Sequence, residues 1–165
     1  YWNNFYDTDG SIVPQELKEN MFQDWLLAMD RFALKMKDKK VKIIISSPTP
    51  EFPLAKKLKC KGQHSDWFNT LNDNRTCSYP LTFFNDIGGK YSKILQGLKS
   101  FDSRFDHVYL FDSLKVMCPE EKCNFSYKDK NLYRDHDHVS NFASRYILAP
   151  EMVKFIYDKK ILFKN

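Results

Sequence analysis

The chain has 165 residues, 42% of them apolar and 16% aromatic, a balance that supports one folded domain with a buried core and argues against a disordered segment. The net charge of +5 is too mild to argue a nucleic-acid partner without a binding motif, and none is present; the lysine runs at 35–42, 56–61 and 154–164 read as solvated faces, although a basic surface also suits anionic glycans or membrane headgroups. No run approaches the roughly 20 apolar residues that cross a bilayer, and Tyr1 does not begin a signal peptide, because no charged start is followed by an apolar block.

Residues 14–38 read as a helix opened by Pro14 and Gln15-Glu16. Leu17, Met21, Trp25, Met29, Phe32 and Met36 recur at spacings of four and three, which predicts one apolar stripe facing a core. Residues 41–47 form a short β-branched run expected to be a strand buried on both faces, ended by Pro48 and Pro50. Residues 51–82 lose all periodicity, and a loop of that length calls for a function or a staple. Residues 85–101 carry Ile87, Tyr91, Ile94, Leu95 and Leu98 at helical spacing, and 106–112 return to a strand with Val108, Leu110 and Phe111 inside. Residues 118–133 are irregular; 140–157 close the chain as a helix that Pro150 breaks or kinks. Strands alternating with helices predict a parallel sheet with crossovers, hence an α/β layered domain with ligands at the carboxyl ends of its strands.

Cys60, Cys77, Cys118 and Cys123 are even in number and locally spaced, which suggests two disulfides, although three pairings are open. A zinc site helped by His64 is the competing reading, weakened because neither pair has the two-residue gap of a thiolate knuckle; four reduced, buried thiols are the remaining alternative.

The densest chemistry is Leu132-Tyr133-Arg134-Asp135-His136-Asp137-His138-Val139-Ser140, with two carboxylates and two imidazoles in four consecutive positions ahead of a helix. In Asp135-x-x-His138 the acid and the ring fall within one turn of chain. The carboxylate can accept a proton from one ring nitrogen and leave the other as a base, which is half of a Ser-His-Asp device. If the loop is extended, His136 and Asp137 point to solvent. A metal held by Asp135, His136, Asp137 and His138 is disfavoured, because four adjacent ligands do not readily surround one ion; His64 and His107 are lone and read as structural. Ser46 or Ser47 at a strand end lacks the Gly-x-Ser-x-Gly elbow of a nucleophile.

Tyr-x-Asp-x-x-His-Val-Ser before a helix resembles the last block of SGNH hydrolases, and in particular of the extracytoplasmic SGNH domain fused to membrane-bound O-acyltransferases of the acyltransferase-three family. Val139 stands where that family usually has Leu. Val41-Lys42-Ile43-Ile44-Ile45-Ser46-Ser47-Pro48-Thr49-Pro50-Glu51-Phe52-Pro53 is similar to the family's strand and "PxPEFP"-like turn, and Tyr1-Trp2-Asn3-Asn4-Phe5-Tyr6 looks like its aromatic segment after an earlier strand.

The resemblance implies a three-layer, flavodoxin-like parallel sheet flanked by helices, with residues 1–165 the C-terminal part of a single SGNH-like domain and its N-terminal strand or strands missing. It gives His138 the role of general base, Asp135 that of orienter, and Asn3 that of an oxyanion donor, although Asn3 lacks the Gly of the family's Gly-x-Asn-Asp block. The family's nucleophile is the Ser of Gly-Asp-Ser. That motif is absent here, Asp9-Gly10-Ser11 reading as a turn, so the nucleophile is expected upstream of Tyr1. An extracytoplasmic domain with cysteines in these regions favours the disulfides Cys60–Cys77 and Cys118–Cys123. The implied function is transfer of an acyl group, most often acetyl, to a hydroxyl of a carbohydrate or other surface acceptor. An N-terminal transmembrane domain in the same polypeptide would be served by a donor such as acetyl-CoA, and the SGNH part itself would need no cofactor. Two alternatives stand beside it: a free-standing SGNH carbohydrate esterase, and a catalytically inactive, disulfide-stapled glycan-binding domain.

Overall fold

The computed structural model describes residues 15–52, 78–127, 130–135 and 137–162, with side chains from residue 20 onward. Asn3, Ser11, Cys60, His64, Cys77 and His136 lie outside the described residues. In chain order the elements are helix α1 (Gln15–Asp38), strand β1 (Ile43–Ser46), β2 (Ser78–Pro80), helices α2 (Thr82–Asn85) and α3 (Ser92–Arg104), β3 (Val108–Phe111), α4 (Ser113–Met117), and the short strands β4 (Lys122–Asn124), β5 (Ser126–Tyr127) and β6 (Lys130–Asn131). Helix α5 (Asn141–Ala143), a π-turn (Ser144–Leu148) and α6 (Ala149–Asp158) follow.

The α/β alternation predicted from the sequence is present. Among the described residues it produces three two-stranded sheets, β1 with β3, β2 with β4, and β5 with β6. The Ile43 N–H donates to the His107 carbonyl and, four residues on, the Ser47 N–H donates to the Phe111 carbonyl. Both strands advance together, as in a parallel pair. The β2–β4 and β5–β6 pairs are antiparallel, so the stretch before the Asp/His motif is not irregular but carries three short strands.

Contacts group the chain into two compact units, residues 1–44 with 99–109, and residues 45–98 with 110–165. In the first, Ala33 is fully buried, while Met21, Trp25 and Phe32 of the predicted stripe are exposed. The covered face is instead Phe22, Leu26, Met29, Ala33 and Met36, one position around the helix. The physical reason is the small side chain at position 33. It allows close approach, and His107 Nε2 lies 2.9 Å from the Ala33 carbonyl. Arg104 pairs with Asp30 at 2.6 Å and Lys37 with Asp106 at 3.3 Å. His107 is thereby part of the packing, with Phe105 edge-on to its ring.

The second unit is built around an aromatic core of Phe52, Tyr79, Phe84, Tyr91, Phe125 and Tyr133, with Leu81, Leu95, Leu114, Met117 and Leu132. Phe52 meets Tyr133 edge-on at 4.8 Å and Phe125 at 5.4 Å between ring centroids, and such pairs contribute about 0.5–1.5 kcal/mol each beyond the area they bury. The predicted Cys118–Cys123 disulfide is formed, with both cysteines buried in this core. Strand β1 is half-buried rather than enclosed on both faces, since among the described residues β3 is its one partner.

Ile87 is 97% exposed and belongs to no helix, contrary to the periodicity. The chain turns between α2 and α3 through Gly88, at φ +80°, and Gly89, whose N–H donates to the Asp86 carbonyl at 2.7 Å. A Cβ on Gly89 would stand 2.8 Å from the Asp86 carbonyl oxygen and 3.1 Å from two further backbone atoms. Gly89→Ala should therefore destabilise the fold by about 1–3 kcal/mol, read as a lower denaturation midpoint at unchanged slope; an unchanged midpoint would show that the turn tolerates the side chain.

The regular α-helical pattern is interrupted just before Pro150, as expected, by a π-turn. Pro150 sits in the first turn of α6, directly after the π-turn. The Ala149 N–H bonds five residues back to the Ser144 carbonyl, a wider loop that accommodates the missing N–H and the ring of Pro150. Helices α1 and α6 end alike, in Asp-Lys-Lys followed by a β-branched residue. Lys40 and Lys160 have φ 57° and 52°, the N–H of Val41 reaches back to Met36 and that of Ile161 to Ile156, which is the Schellman closure with lysine in the place usually held by glycine.

Candidate active site

The Asp/His loop is built by what flanks it. Tyr133 is 1% exposed and locked between Phe52 and Phe125, and it forms an antiparallel bridge with Val139. The Arg134 N–H donates to the His138 carbonyl at 2.8 Å and the Ser140 N–H to the Leu132 carbonyl at 2.9 Å, so the loop is closed at its base. Ser140 then caps α5, its Oγ accepting from the Ala143 N–H at 3.1 Å and donating to the Asn131 carbonyl at 2.7 Å. The serine of the motif is thus an N-cap that fixes where the loop ends and the helix starts.

Within the loop, His138 Nδ1 lies 2.9 Å and 3.0 Å from the two oxygens of Asp135. Asp135 Oδ1 also accepts the backbone N–H of His138 at 2.9 Å and that of Asp137 at 3.3 Å. These donors hold the Asp135 carboxyl well below the usual carboxylate range, the His138 backbone N–H contributing most, against a smaller opposing effect of partial desolvation. Arg134 Nε is 3.6 Å from Asp135 Oδ2. The His138 side chain is 63% exposed, so the ring is anchored on its Nδ1 side and open to an incoming group.

Asp137 departs from the expectation that it points to solvent. Its Oδ1 is buried and stands 3.0 Å from His138 Nδ1. The loop is a closed turn rather than an extended segment, so alternate residues do not alternate in and out. Nδ1 is within hydrogen-bond distance of both Asp135 oxygens. The Asp137 oxygen, 3.0 Å from the same nitrogen, adds a second close negative charge. Asp135, Asp137 and His138 bring one ligand-type atom each within 4.8 Å of one another; acidic groups at such spacing are common without an ion, and no assignment follows.

The Pro50-Glu51-Phe52 turn meets this loop through the core. Glu51 pairs with Lys90 at 2.9 Å, the Lys90 side chain 26% and the Glu51 side chain 14% exposed. The Tyr91 hydroxyl is pushed up in pKa chiefly by burial and next by the Glu51 charge, with a further contribution from Asp137. The Tyr133 hydroxyl is raised by burial and then by Tyr91. The sequence does not mark Tyr91 as a neighbour of the motif, nor Glu51 and Lys90 as a pair; the one available signal is Glu51 inside the "PxPEFP"-like turn.

Ser46 and Ser47 are committed elsewhere. Ser47 is 3% exposed; its Oγ donates to Asp112 Oδ1 at 3.2 Å and accepts the Leu114 N–H at 3.0 Å. Ser46 Oγ is 3.0 Å from Ser113 Oγ, and Ser113 in turn donates to the Ser47 carbonyl. This cluster ties the end of β1 to the start of α4, where Asp112 caps the Lys115 N–H. Among the described residues no helix is long and apolar enough to cross a membrane.

No curated protein and no solved structure matches the chain significantly. A family model described as "SGNH domain (fused to AT3 domains)" matches residues 1–152. That match covers the PEFP-like turn and the Asp135/His138 loop in one alignment, and the chain therefore belongs to the family of SGNH domains fused to AT3 domains, an acyltransferase-associated α/β family.

Proposed function

We propose that this chain is the C-terminal part of one SGNH domain whose Asp135 and His138 serve a serine on an upstream Gly-Asp-Ser block, and that the domain transfers an acyl group, acetyl in the first instance, to hydroxyls of a carbohydrate or other surface acceptor. The observation that carries this reading is the bidentate seat of His138 Nδ1 on Asp135, at 2.9 and 3.0 Å, with the rest of the ring exposed. In the proposed reaction Nε2 accepts the serine proton as the oxygen attacks the acyl carbonyl, and returns it to the leaving group as the tetrahedral intermediate collapses. Asp135 keeps the proton on Nδ1 and stabilises the imidazolium that forms. Asn3 is assigned to the oxyanion through its place in the sequence alone.

The family's fusion to AT3 domains supports a membrane acyltransferase domain in the same polypeptide, a location of this domain on the extracytoplasmic side, and a three-layer parallel sheet completed by upstream strands around β1 and β3. The Cys118–Cys123 disulfide supports that side too, since such bonds persist where the surroundings oxidise. The direct test is acetyl transfer from a labelled donor to polysaccharide by membranes bearing the complete protein. Label should appear on acceptor hydroxyls and be released by mild base; release of free acetate with none on the acceptor would point to the esterase alternative, and no turnover with retained glycan binding to the inactive-domain alternative.

A further inference from the structure

We propose that Asp137 is a second positioning carboxylate for His138, so that the imidazole is oriented by two acids rather than one. Its activity consequence rests on the proposed role of His138 as the base; its geometric content does not. His138 Nδ1 has three carboxylate oxygens within 3.0 Å, two from Asp135 and one from Asp137. The two acids are not equivalent. Asp135 Oδ1 is shared with the backbone N–H groups of His138 and Asp137, and Asp135 Oδ2 has Arg134 Nε at 3.6 Å. Asp135 therefore divides its capacity between shaping the loop and holding the ring, and Asp137 Oδ1 adds a second negative charge 3.0 Å from Nδ1.

The tautomer follows from this arrangement. With the proton on Nδ1, the nitrogen is hydrogen-bonded to Asp135 and has the Asp137 charge 3.0 Å away. With the proton on Nε2, the Nδ1 lone pair would face both carboxylates, a doubly repulsive arrangement. A single orienting acid replaced by its amide lets the ring adopt the wrong tautomer, because the amide can donate to Nδ1; in a triad with one acid that costs about 10⁴ in kcat. Here Asp137 remains as a negative charge 3.0 Å from Nδ1, and a nearby opposite charge favours the protonated nitrogen. Among the described residues, Arg134 Nε is 3.6 Å from Asp135 and the Asp137 charge bears on the Tyr91 hydroxyl, while the two acids also interact with each other.

The test is the nitrogen resonances of the His138 ring in the isotopically labelled chain, at a pH of about 8 where an ordinary imidazole is neutral. The wild type and Asp135→Asn should both hold the proton on Nδ1, and Asp135→Asn/Asp137→Asn should move it to Nε2. A switch to Nε2 in Asp135→Asn alone, or a double variant indistinguishable from that single one, would overturn the proposal. Asparagine keeps the backbone-capping oxygen of Asp135; should the variant nonetheless misfold, Asp137→Asn alone must displace the Nδ1 resonance, and no displacement overturns the proposal. In the catalytically complete protein, kcat should fall about 10- to 100-fold in Asp135→Asn and approach the 10⁴-fold loss of a one-acid triad only in the double variant. If His138→Ala leaves acyl transfer intact, the proposed function fails while the tautomer result still decides the role of Asp137.

Discussion

His138→Ala is expected to abolish acyl transfer in the complete protein, with kcat lower by about 10⁴- to 10⁶-fold, while circular dichroism and the thermal midpoint stay near wild type. The reasoning is that the side chain is 63% exposed and its structural duties are carried by its backbone: its carbonyl receives the Arg134 N–H and its own N–H binds Asp135. Truncation at Cβ leaves those bonds and removes only the imidazole. His136→Ala, two residues away, should cost less than about tenfold, because the chemistry assigns His136 no proton to move. Comparable losses at both positions would sink the acid–base assignment and favour a metal-binding loop. The measurement is initial rate against acceptor concentration for the three proteins, since loss of a transition-state contact lowers kcat and kcat/KM together.

Residues 1–165 on their own are expected to take no label from a fluorophosphonate probe and to turn over no acetyl ester, whereas the protein extended upstream through a Gly-Asp-Ser strand should be labelled at that serine. The contrast is close to all-or-none. A base and its orienter without a nucleophile retain only binding and oxyanion stabilisation, a residue of about 10³- to 10⁴-fold over water in systems where this has been dissected. The serines at the end of β1 are poor substitutes. Ser47 is buried and bonded to Asp112, Ser113 and Leu114, and Ser46 bonds Ser113 and the Ser47 carbonyl. None of these bonds is to a histidine that could take the proton. Label recovered on Ser46, Ser47 or Ser11 would refute the assignment of an upstream nucleophile.

The features legible in the sequence are those whose physics closes within a few residues. Asp135 and His138 are three apart, and the backbone N–H groups that pin the carboxylate lie in the same turn. Cys118 and Cys123 are five apart and form their bond across one short turn. Helix α1 was placed within one residue because its periodicity is dense. The Asp-Lys-Lys helix ends were equally local, yet a lysine at positive φ is costly enough that composition alone reads the run as a solvated face.

Other features were decided by packing between segments far apart in sequence. Which stripe of α1 is covered depended on Ala33 admitting His107, 74 residues away; the larger Trp25 and Phe32 offered the same periodicity and lost. Ile87 keeps helical spacing but falls in a turn that Gly88 and Gly89 impose. The inward aim of Asp137 required Tyr133 and Val139 to pair and close the loop, and the meeting of Glu51 with Lys90 spans 39 residues. By itself the sequence determined the Asp135–His138 contact, the local disulfide and the α/β alternation, because hydrogen bonds and crosslinks within one turn need no partner from elsewhere. The tertiary structure alone decided the covered helix face and the second carboxylate at His138, because burial is awarded to whichever side chains fit when distant segments come together.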